Sequence, residues 1–375
     1  MARVKIFGAG SIGNHLAQAS RRHGWDVTIV DLDPKALERT KNETYPKRYG
    51  AWDPDIKLFT PDAAPKGGYD VIFIGTPPHV RLDVATAVLK EESPKVLQLE
   101  KPLCGPLNFP HHYEKFMDFC DELKYSGAQA VVGYEYVLGE GAQKAARFIN
   151  NPAFGEVQTL EVAFRENWRG IFDAHPWLSG PADSYLGYWM KGGGASGEHS
   201  HAIHFWQYFA NLLDLGHVWK VSGAMQMVND GKVDYDSVCY LNVETDAGFV
   251  GRIVQDVVTD PPRMSMRIQR ERASVEWARY AVPGKGTIIE LNYGLKDDKG
   301  VWNFTQELLS LKRPDDFYPE ICHIADILDG GIKSENSSIG FHTGARTIAV
   351  VTAAHIGRIE DCIAFVDEDI SDNMV

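Results

Sequence analysis

The residues best suited to chemistry are a lysine, a cluster of histidines with a glutamate, and a run of glycines. Lys101 stands in Glu100-Lys101-Pro102, directly after an apolar stretch; Glu198, His199, His201 and His204 fall close together; and Gly8, Gly10 and Gly13 follow the apolar Val4-Lys5-Ile6-Phe7. An amine, a carboxylate and imidazoles can give and take a proton at a substrate hydroxyl, because imidazole titrates near neutrality and burial loosens the proton of an amine. The glycines suit another task, the close approach of bare backbone to a phosphate. Histidines also suggest a metal. Zinc, however, needs three or four ligands converging at about 2 Å, and Glu198, His201 and His204 at i, i+3, i+6 spread their outer pair over about two helical turns. With neither H-E-x-x-H nor a cysteine pair in the chain, no metal is expected.

These residues need elements to hold them. Val4 to Ala17 reads as strand, tight turn and helix: Gly8 turns the chain, Gly10 leaves room for a pyrophosphate, and Gly13 lets the helix pack on the strand. The phosphates would rest on the helix's first amides, those of Ser11, Ile12 and Gly13. The next strand, Asp26 to Val30, ends on Asp31, where a ribose diol needs an acid. Leu32, Asp33 and Pro34 follow it, with no arginine for a 2′-phosphate, so NAD(H) is expected over NADP(H). Further buried strands, 70–75 and 95–99, would deliver Thr76-Pro77 and Glu100-Lys101 to the same crevice beyond the strand ends. Helices over 34–40, 82–89 and 111–124 and a strand at 130–133 complete a first domain, 1–135.

From Gly155 the pattern changes to longer, two-sided strands at 157–164, 218–228, 237–244, 249–258 and 265–278, with helices at about 198–212, 318–328 and 344–359. The fold class expected is therefore α/β: an N-terminal Rossmann doubly wound parallel sheet, then a C-terminal α+β domain, 136–375, with a large, mostly antiparallel open sheet. Its terminal helix is free to pack back on the first domain. The segment 167–191 carries Trp168, Arg169, Tyr188 and Lys191 among further aromatics. Aromatic faces with donors between them suit a sugar ring or a base, and the two cations suit a phosphate or carboxylate. The same loop would equally serve to cover its own core or to meet a neighbouring subunit.

The chain has 375 residues, 44% of them hydrophobic and 24% charged, enough for two cores. A formal charge of −13 argues against nucleic acid as a partner. Its five cysteines are scattered without a C-x-x-C pair and are expected to be buried thiols. No apolar run is long enough for a membrane span and no leader precedes the first strand, so a cytoplasmic location is expected.

Taken together, the glycine turn, Thr76-Pro77, Glu100-Lys101-Pro102 and the Gly192-Gly193-Gly194 turn leading to His201 resemble the Gfo/Idh/MocA family, which includes glucose-fructose oxidoreductase and inositol dehydrogenase. The resemblance covers nearly the whole chain. It implies that Lys101 lies between nicotinamide and substrate, with His201 on a helix beside the cofactor and both carrying proton transfer. A lysine beside a positive nicotinamide would have a lowered pKa and a neutral form able to accept a proton. It further implies NAD-dependent hydride transfer to or from a secondary hydroxyl or ketone of a sugar, nucleotide sugar or polyol. Tyr136, Trp168, Arg169, Tyr188, Lys191 and His204 are the substrate-side candidates, and a homodimer or homotetramer through the C-terminal sheet is expected. Three positions depart from the family's pattern. Gly197 stands where an aspartate is common, leaving Glu198 as the possible acid/base partner; Arg81 replaces a common histidine, with His79 nearby; and Glu135 replaces a common asparagine. Two other readings stay open: a redox-neutral sugar-cleaving or rearranging enzyme with tightly held NAD, and a non-catalytic NAD-responsive binding protein.

Overall fold

The computed structural model describes residues 1–283, 286–311, 315–367 and 370. Short apolar runs alternating with helices build a parallel sheet in the first half, covered on both faces. Its strands are β1 (Arg3–Phe7), β2 (Asp26–Val30), β3 (Lys57–Phe59), β4 (Val71–Ile74), β5 (Val96–Leu99) and β6 (Gln129–Val132). They lie in the order β3-β2-β1-β4-β5-β6, every neighbour parallel. The direction of winding reverses between β1 and β4, which opens a crevice beyond their carboxyl ends. β4 and β5 are buried along their whole length and end at that crevice.

The helices exceed what apolar spacing alone indicates. Pro78 and Pro110 occupy first turns, where a missing N–H costs nothing, so the helices run Pro78–Glu92 and Pro110–Ser126. The expected helix at 34–40 ends at Arg39 and continues as a π turn (Thr40–Thr44) and a second helix (Tyr45–Tyr49). The short edge strand β3 had no periodic signature.

The second half forms a nine-stranded sheet from β7 (Val157–Asn167), β8 (Val218–Asn229), β9 (Asp234–Thr245), β10 (Val250–Asp256), β11 (Val258–Arg270), β12 (Ala273–Val282), β13 (Gly286–Lys296), β14 (Trp302–Leu311) and β15 (Ala364–Phe365). The order is β14-β13-β12-β11-β7-β10-β9-β8-β15, antiparallel except for the pair β7 and β10. Two expectations are corrected. The run 265–278 is two strands, because the chain reverses between Arg270 and Ala273, and the run 249–258 ends at Asp256, Val258 already opening β11. β13 and β14 alternate too weakly to have been read.

Register gives this sheet its two faces. Val162, Met266, Trp277, Leu291, Ile253 and Leu241 are cross-strand partners that point inward, whereas Glu161, Arg267, Glu276, Asn292, Arg252 and Asn242 form the parallel row outward. Helix Ser200–Leu212 packs beneath β7 and β10, where Trp206 Nε1 donates to the Leu160 carbonyl at 3.2 Å. The terminal helix, Phe341–Glu360, lies against both β8 and β6, and a side chain at Gly344 would come within 2.5 Å of Val132. One continuous apolar core therefore joins the two sheets. Among the described residues, no helix is long and apolar enough to cross a membrane.

Candidate active site

Each glycine of the first turn meets the need the sequence assigned it. Gly8 has φ +113°, and a Cβ there would lie 3.1 Å from the Gly75 carbonyl oxygen of β4's end. A Cβ on Gly13 would lie 2.0 Å from the Gly8 carbonyl oxygen, so helix and strand touch only because it is absent. At Gly10 the space is open. Helix Ser11–Arg22 begins there with no side-chain cap and no acid in its first turn, which leaves its amide dipole to attract an anion. Asp31 is braced at the end of β2, its two oxygens accepting from Ala9 N at 2.7 Å and Asp33 N at 2.9 Å, with lone pairs left for a diol. Arg48 steadies the turn by donating to the Ser11 carbonyl at 3.0 Å and its hydroxyl at 2.9 Å.

These residues form one wall of a cleft of about 1100 Å³, which also holds Thr76, Pro77, Glu100 and Lys101. The opposite wall comes from the second half: Ile171, His175, Trp177, Leu178, Tyr185, Leu186 and Glu198. That space lies just above the range of about 300–1,000 Å³ for single small-ligand sites, which leaves room for a dinucleotide with a second ligand. Uncapped amides, the open space at Gly10 and the acid at Asp31 together fit a dinucleotide.

At the cleft's inner end Lys101, only 11% exposed, donates from Nζ to the Glu198 carbonyl at 2.9 Å and lies 3.1 Å from Glu198 Oε1. A neutral lysine is expected beside a positive nicotinamide; in the chain alone the surroundings favour the ammonium. Burial works to lower its proton affinity, but Glu198, Tyr185 and Glu135 outweigh burial and hold the ammonium above its ordinary value. Glu198 in turn is held below the usual carboxylate range: burial raises it, and Lys101 and His199 more than compensate. The pair is a charged donor beside a charged acceptor.

His201 lies behind this pair, 7% exposed and outside the cleft lining, with Nε2 3.8 Å from Glu135 Oε2. Tyr134 meets its ring edge-on at 5.4 Å and Tyr136 tilts against it at 4.5 Å. Burial, then Lys101, pushes its pKa well below the ordinary value, so the imidazole is neutral. The helix expected from Glu198 onward is broken at His199: Gly194–Glu198 is one helix and Ser200–Leu212 the next. The break separates Glu198 from the face that carries His201 and His204.

His204 is placed as a core residue, not beside a substrate. Its Nε2 is 2.9 Å from the Ser338 carbonyl, its ring stacks on Tyr134 at 4.3 Å, and burial takes its pKa down to about 3. The aromatic loop divides similarly. Trp168 packs on Tyr235, Arg169 pairs with Asp260, Tyr188 OH donates to the Lys232 carbonyl at 2.8 Å, and Lys191 lies over the Tyr188 ring; none lines the cleft. Tyr136 sits under His201 with Arg279 over its ring at 5.0 Å. His175, Trp177 and Tyr185 are among the residues of this loop that do line the cleft, and nothing in their local spacing distinguishes them from their neighbours. Arg81 was noted only as a departure. It is buried beneath the cleft and donates to the carbonyls of Thr76 and Pro102, tying the ends of β4 and β5 together.

No protein-family model matches the sequence, nor does any curated protein. Solved structures do match it over almost its whole length. Levoglucosan dehydrogenase in complex with NADH is 16% identical with a TM-score of 0.75, covering 98% of this chain and 99% of that one. The WlbA dehydrogenase from Bordetella pertussis, in complex with NADH and UDP-GlcNAcA, is 19% identical with a TM-score of 0.68, covering 98% and 99%. An NAD binding oxidoreductase from Klebsiella pneumoniae is 17% identical with a TM-score of 0.73, covering 98% and 100%. The chain has the fold of these dehydrogenases. At such identities the likeness is one of architecture, and the activity has to be argued from the site.

Proposed function

We propose that the chain is an NAD-dependent oxidoreductase of the Gfo/Idh/MocA type, acting on a secondary hydroxyl or ketone of a sugar, nucleotide sugar or polyol. The observation that carries this reading is the Lys101–Glu198 pair at the inner end of a cleft whose outer end is built for a dinucleotide. Bound NAD(H) would supply the acceptor or donor of a hydride. The amides of Ser11, Ile12 and Gly13 and the bare backbone of Gly10 hold its pyrophosphate, Asp31 its ribose diol, and Thr76, Pro77 and Glu100 the floor. Lys101 donates a hydrogen bond to the substrate oxygen and stabilises negative charge there. Glu198 keeps that ammonium charged and oriented, and His201, which stands behind the lining, receives the hydroxyl proton when its ring turns to the substrate. Trp177 and Tyr185 close the cleft against water from the opposite wall. The outward face of the nine-stranded sheet, where Tyr240, Phe304 and Leu308 stand exposed, belongs to a dimer or tetramer in this reading, which light scattering tests.

The test begins with protein purified without added cofactor, denatured, and assayed for released NAD(H) and NADP(H). It continues with NADH formation from a panel of myo-inositol, glucose, levoglucosan and UDP-sugars. Lys101→Met is expected to fold, bind NADH and lose turnover by about a hundredfold or more. Wild-type turnover in that variant would overturn the assignment.

A further inference from the structure

Three buried glutamates around Lys101 and His201 take no part in the proton transfer described above. Glu100, Glu135 and Glu320 are 5%, 8% and 0% exposed. They arrive from separate elements: Glu100 from the end of β5, Glu135 from the 3-10 turn Glu135–Leu138 after β6, and Glu320 from helix Tyr318–Leu328. Gln98 on β5 joins two of them, its Nε2 donating to Glu100 Oε1 at 2.9 Å and to Glu320 Oε1 at 3.2 Å. The third, Glu135, is the one that reaches His201. Packing here is tight: a Cβ on Gly133 would lie 2.6 Å from Gln98 Nε2 and 2.8 Å from Glu100 Oε1, so those side-chain ends would have to shift.

Neighbouring cations offset only part of this group's charge: Arg81 and Lys101 lower Glu100 and Lys101 lowers Glu135, but burial outweighs them. Lys101 is engaged by Glu198, Arg279 donates to Asp316 at 2.6 Å, and Arg81 donates to two backbone carbonyls. Buried carboxylates that share one amide donor cannot all be ionised, so the cluster holds protons. Its orphaned atoms agree with that conclusion. Among the described residues, Glu320 Oε2 and Gln98 Oε1 are both buried without a partner. A proton on the pair, with a half-turn of the Gln98 amide, lets Oε1 accept from an acid O–H; the amide can match either charge state. His201 Nδ1 is buried without a partner as well. A neutral imidazole with Nε2–H turned to Glu135 leaves Nδ1 free to accept.

We propose that Glu135 is the proton reservoir of the hydride-transfer reaction, exchanging its proton with the substrate through His201, and that Glu100 and Glu320 hold that reservoir poised between filled and empty. The inference rests on the oxidoreductase reading. In the oxidative direction the substrate O–H proton passes to His201 Nδ1 while the Nε2 proton passes to the Glu135 carboxylate. The C–H pair leaves as hydride to the cofactor, the C=O bond forms, and Glu135 ends neutral; reduction runs the same steps backwards. The 3.8 Å gap between Glu135 and His201 is about 1 Å longer than a hydrogen bond and is within reach of a side-chain rotation. Glu135 acts through His201, which makes it a positioning and proton-holding residue. It faces Glu100 and Lys101 from the end of β5, Asp316 and Glu320 from the segment 316–320, Arg279 from β12 and His201 from its helix. Burial first and Glu100 next push its carboxyl up to about 8, within the range where a reservoir can fill and empty.

Infrared difference spectroscopy reads a protonated carboxyl directly and needs no substrate. In the wild-type protein a protonated-carboxyl band is expected to bleach as the pH is raised through about 8. Glu135→Gln should lose that band, and Glu135→Asn, smaller and equally neutral, should lose it too if the first variant folds poorly. The second readout is kcat/KM against pH, in both directions, with whichever compound of the panel above forms NADH fastest. Across the same pH interval the wild-type oxidation rises and the reduction falls. Both variants are expected to flatten this dependence and to oxidise at least about tenfold more slowly. Persistence of the band in both variants overturns the proposal, as does loss of the band with an unchanged pH profile. Failure of the underlying oxidoreductase reading shows separately, as wild-type turnover in Lys101→Met.

Discussion

Gly10→Ala separates folding from cofactor binding. Gly10 caps its helix with φ −79° and ψ −166°, extended backbone that any residue adopts, and a methyl group there meets nothing within 4 Å. The substitution therefore leaves stability unchanged, or raises it by up to about 1 kcal/mol by restricting the unfolded chain. The same methyl occupies the place where a pyrophosphate must come against the backbone. Displacing the phosphate by the width of a methyl breaks about two charge-assisted hydrogen bonds to the first-turn amides, each contributing about 1.5 kcal/mol. NADH affinity should fall by about 3 kcal/mol, on the order of a hundredfold in Kd. Gly13→Ala is the control with the opposite sign. Its Cβ would lie 2.0 Å from the Gly8 carbonyl oxygen, and a backbone atom cannot swing aside. Helix and strand must part, at about 1–3 kcal/mol. Thermal unfolding and NADH fluorescence titration of the same preparations read the two effects. Wild-type NADH affinity in Gly10→Ala would refute the placement of the pyrophosphate on that bare backbone.

Two further outcomes follow from the charges at the site. Glu198→Gln removes the carboxylate that holds the Lys101 ammonium and leaves burial to loosen its proton; turnover should drop at least about tenfold while the Kd for NADH, from the same fluorescence titration, stays within about twofold. Glu320→Gln tests the buried acids through stability. Burial, with Glu100 and Glu135, raises the Glu320 carboxyl well above its ordinary value in the folded chain. The folded state thus binds that proton more tightly than the unfolded one. Stability is fully present below the unfolded value and is lost as pH rises toward the folded one, by about 1.4 kcal/mol per pH unit. Gln cannot ionise, so the difference in Tm between variant and wild type should grow from pH 5 to pH 8; a difference that stays flat would show that Glu320 does not titrate differently on folding.

How much of this could be read from the chain alone depended on whether the determinants were local. The parallel sheet was legible because each strand is a short apolar run whose end residues are the functional ones: Thr76-Pro77 after β4 and Glu100-Lys101 after β5. The edges of the large sheet were not, since β13 and β14 mix polar and apolar residues on both faces and draw their register from neighbours. Charges were harder still. Lys5, in the middle of a buried strand, is 2.5 Å from Glu92, and Gln98 meets Glu320 from the far end of the chain; no periodicity announces such pairs.

The displaced acid shows what the structure adds to a motif. In the pattern that the sequence resembles, an aspartate is common at the position of Gly197, and Glu198 is left as the possible acid/base partner. Here a Cβ at 197 would lie 2.1 Å from the Gly192 carbonyl oxygen, because the glycine turn is folded tightly against the helix Gly194–Glu198. On this backbone no aspartate fits at 197. The last residue of that short helix is the next position that can carry one, and glutamate, one methylene longer, reaches Lys101 from there at 3.1 Å. Lys101 therefore has a carboxylate partner in the cleft, supplied by Glu198.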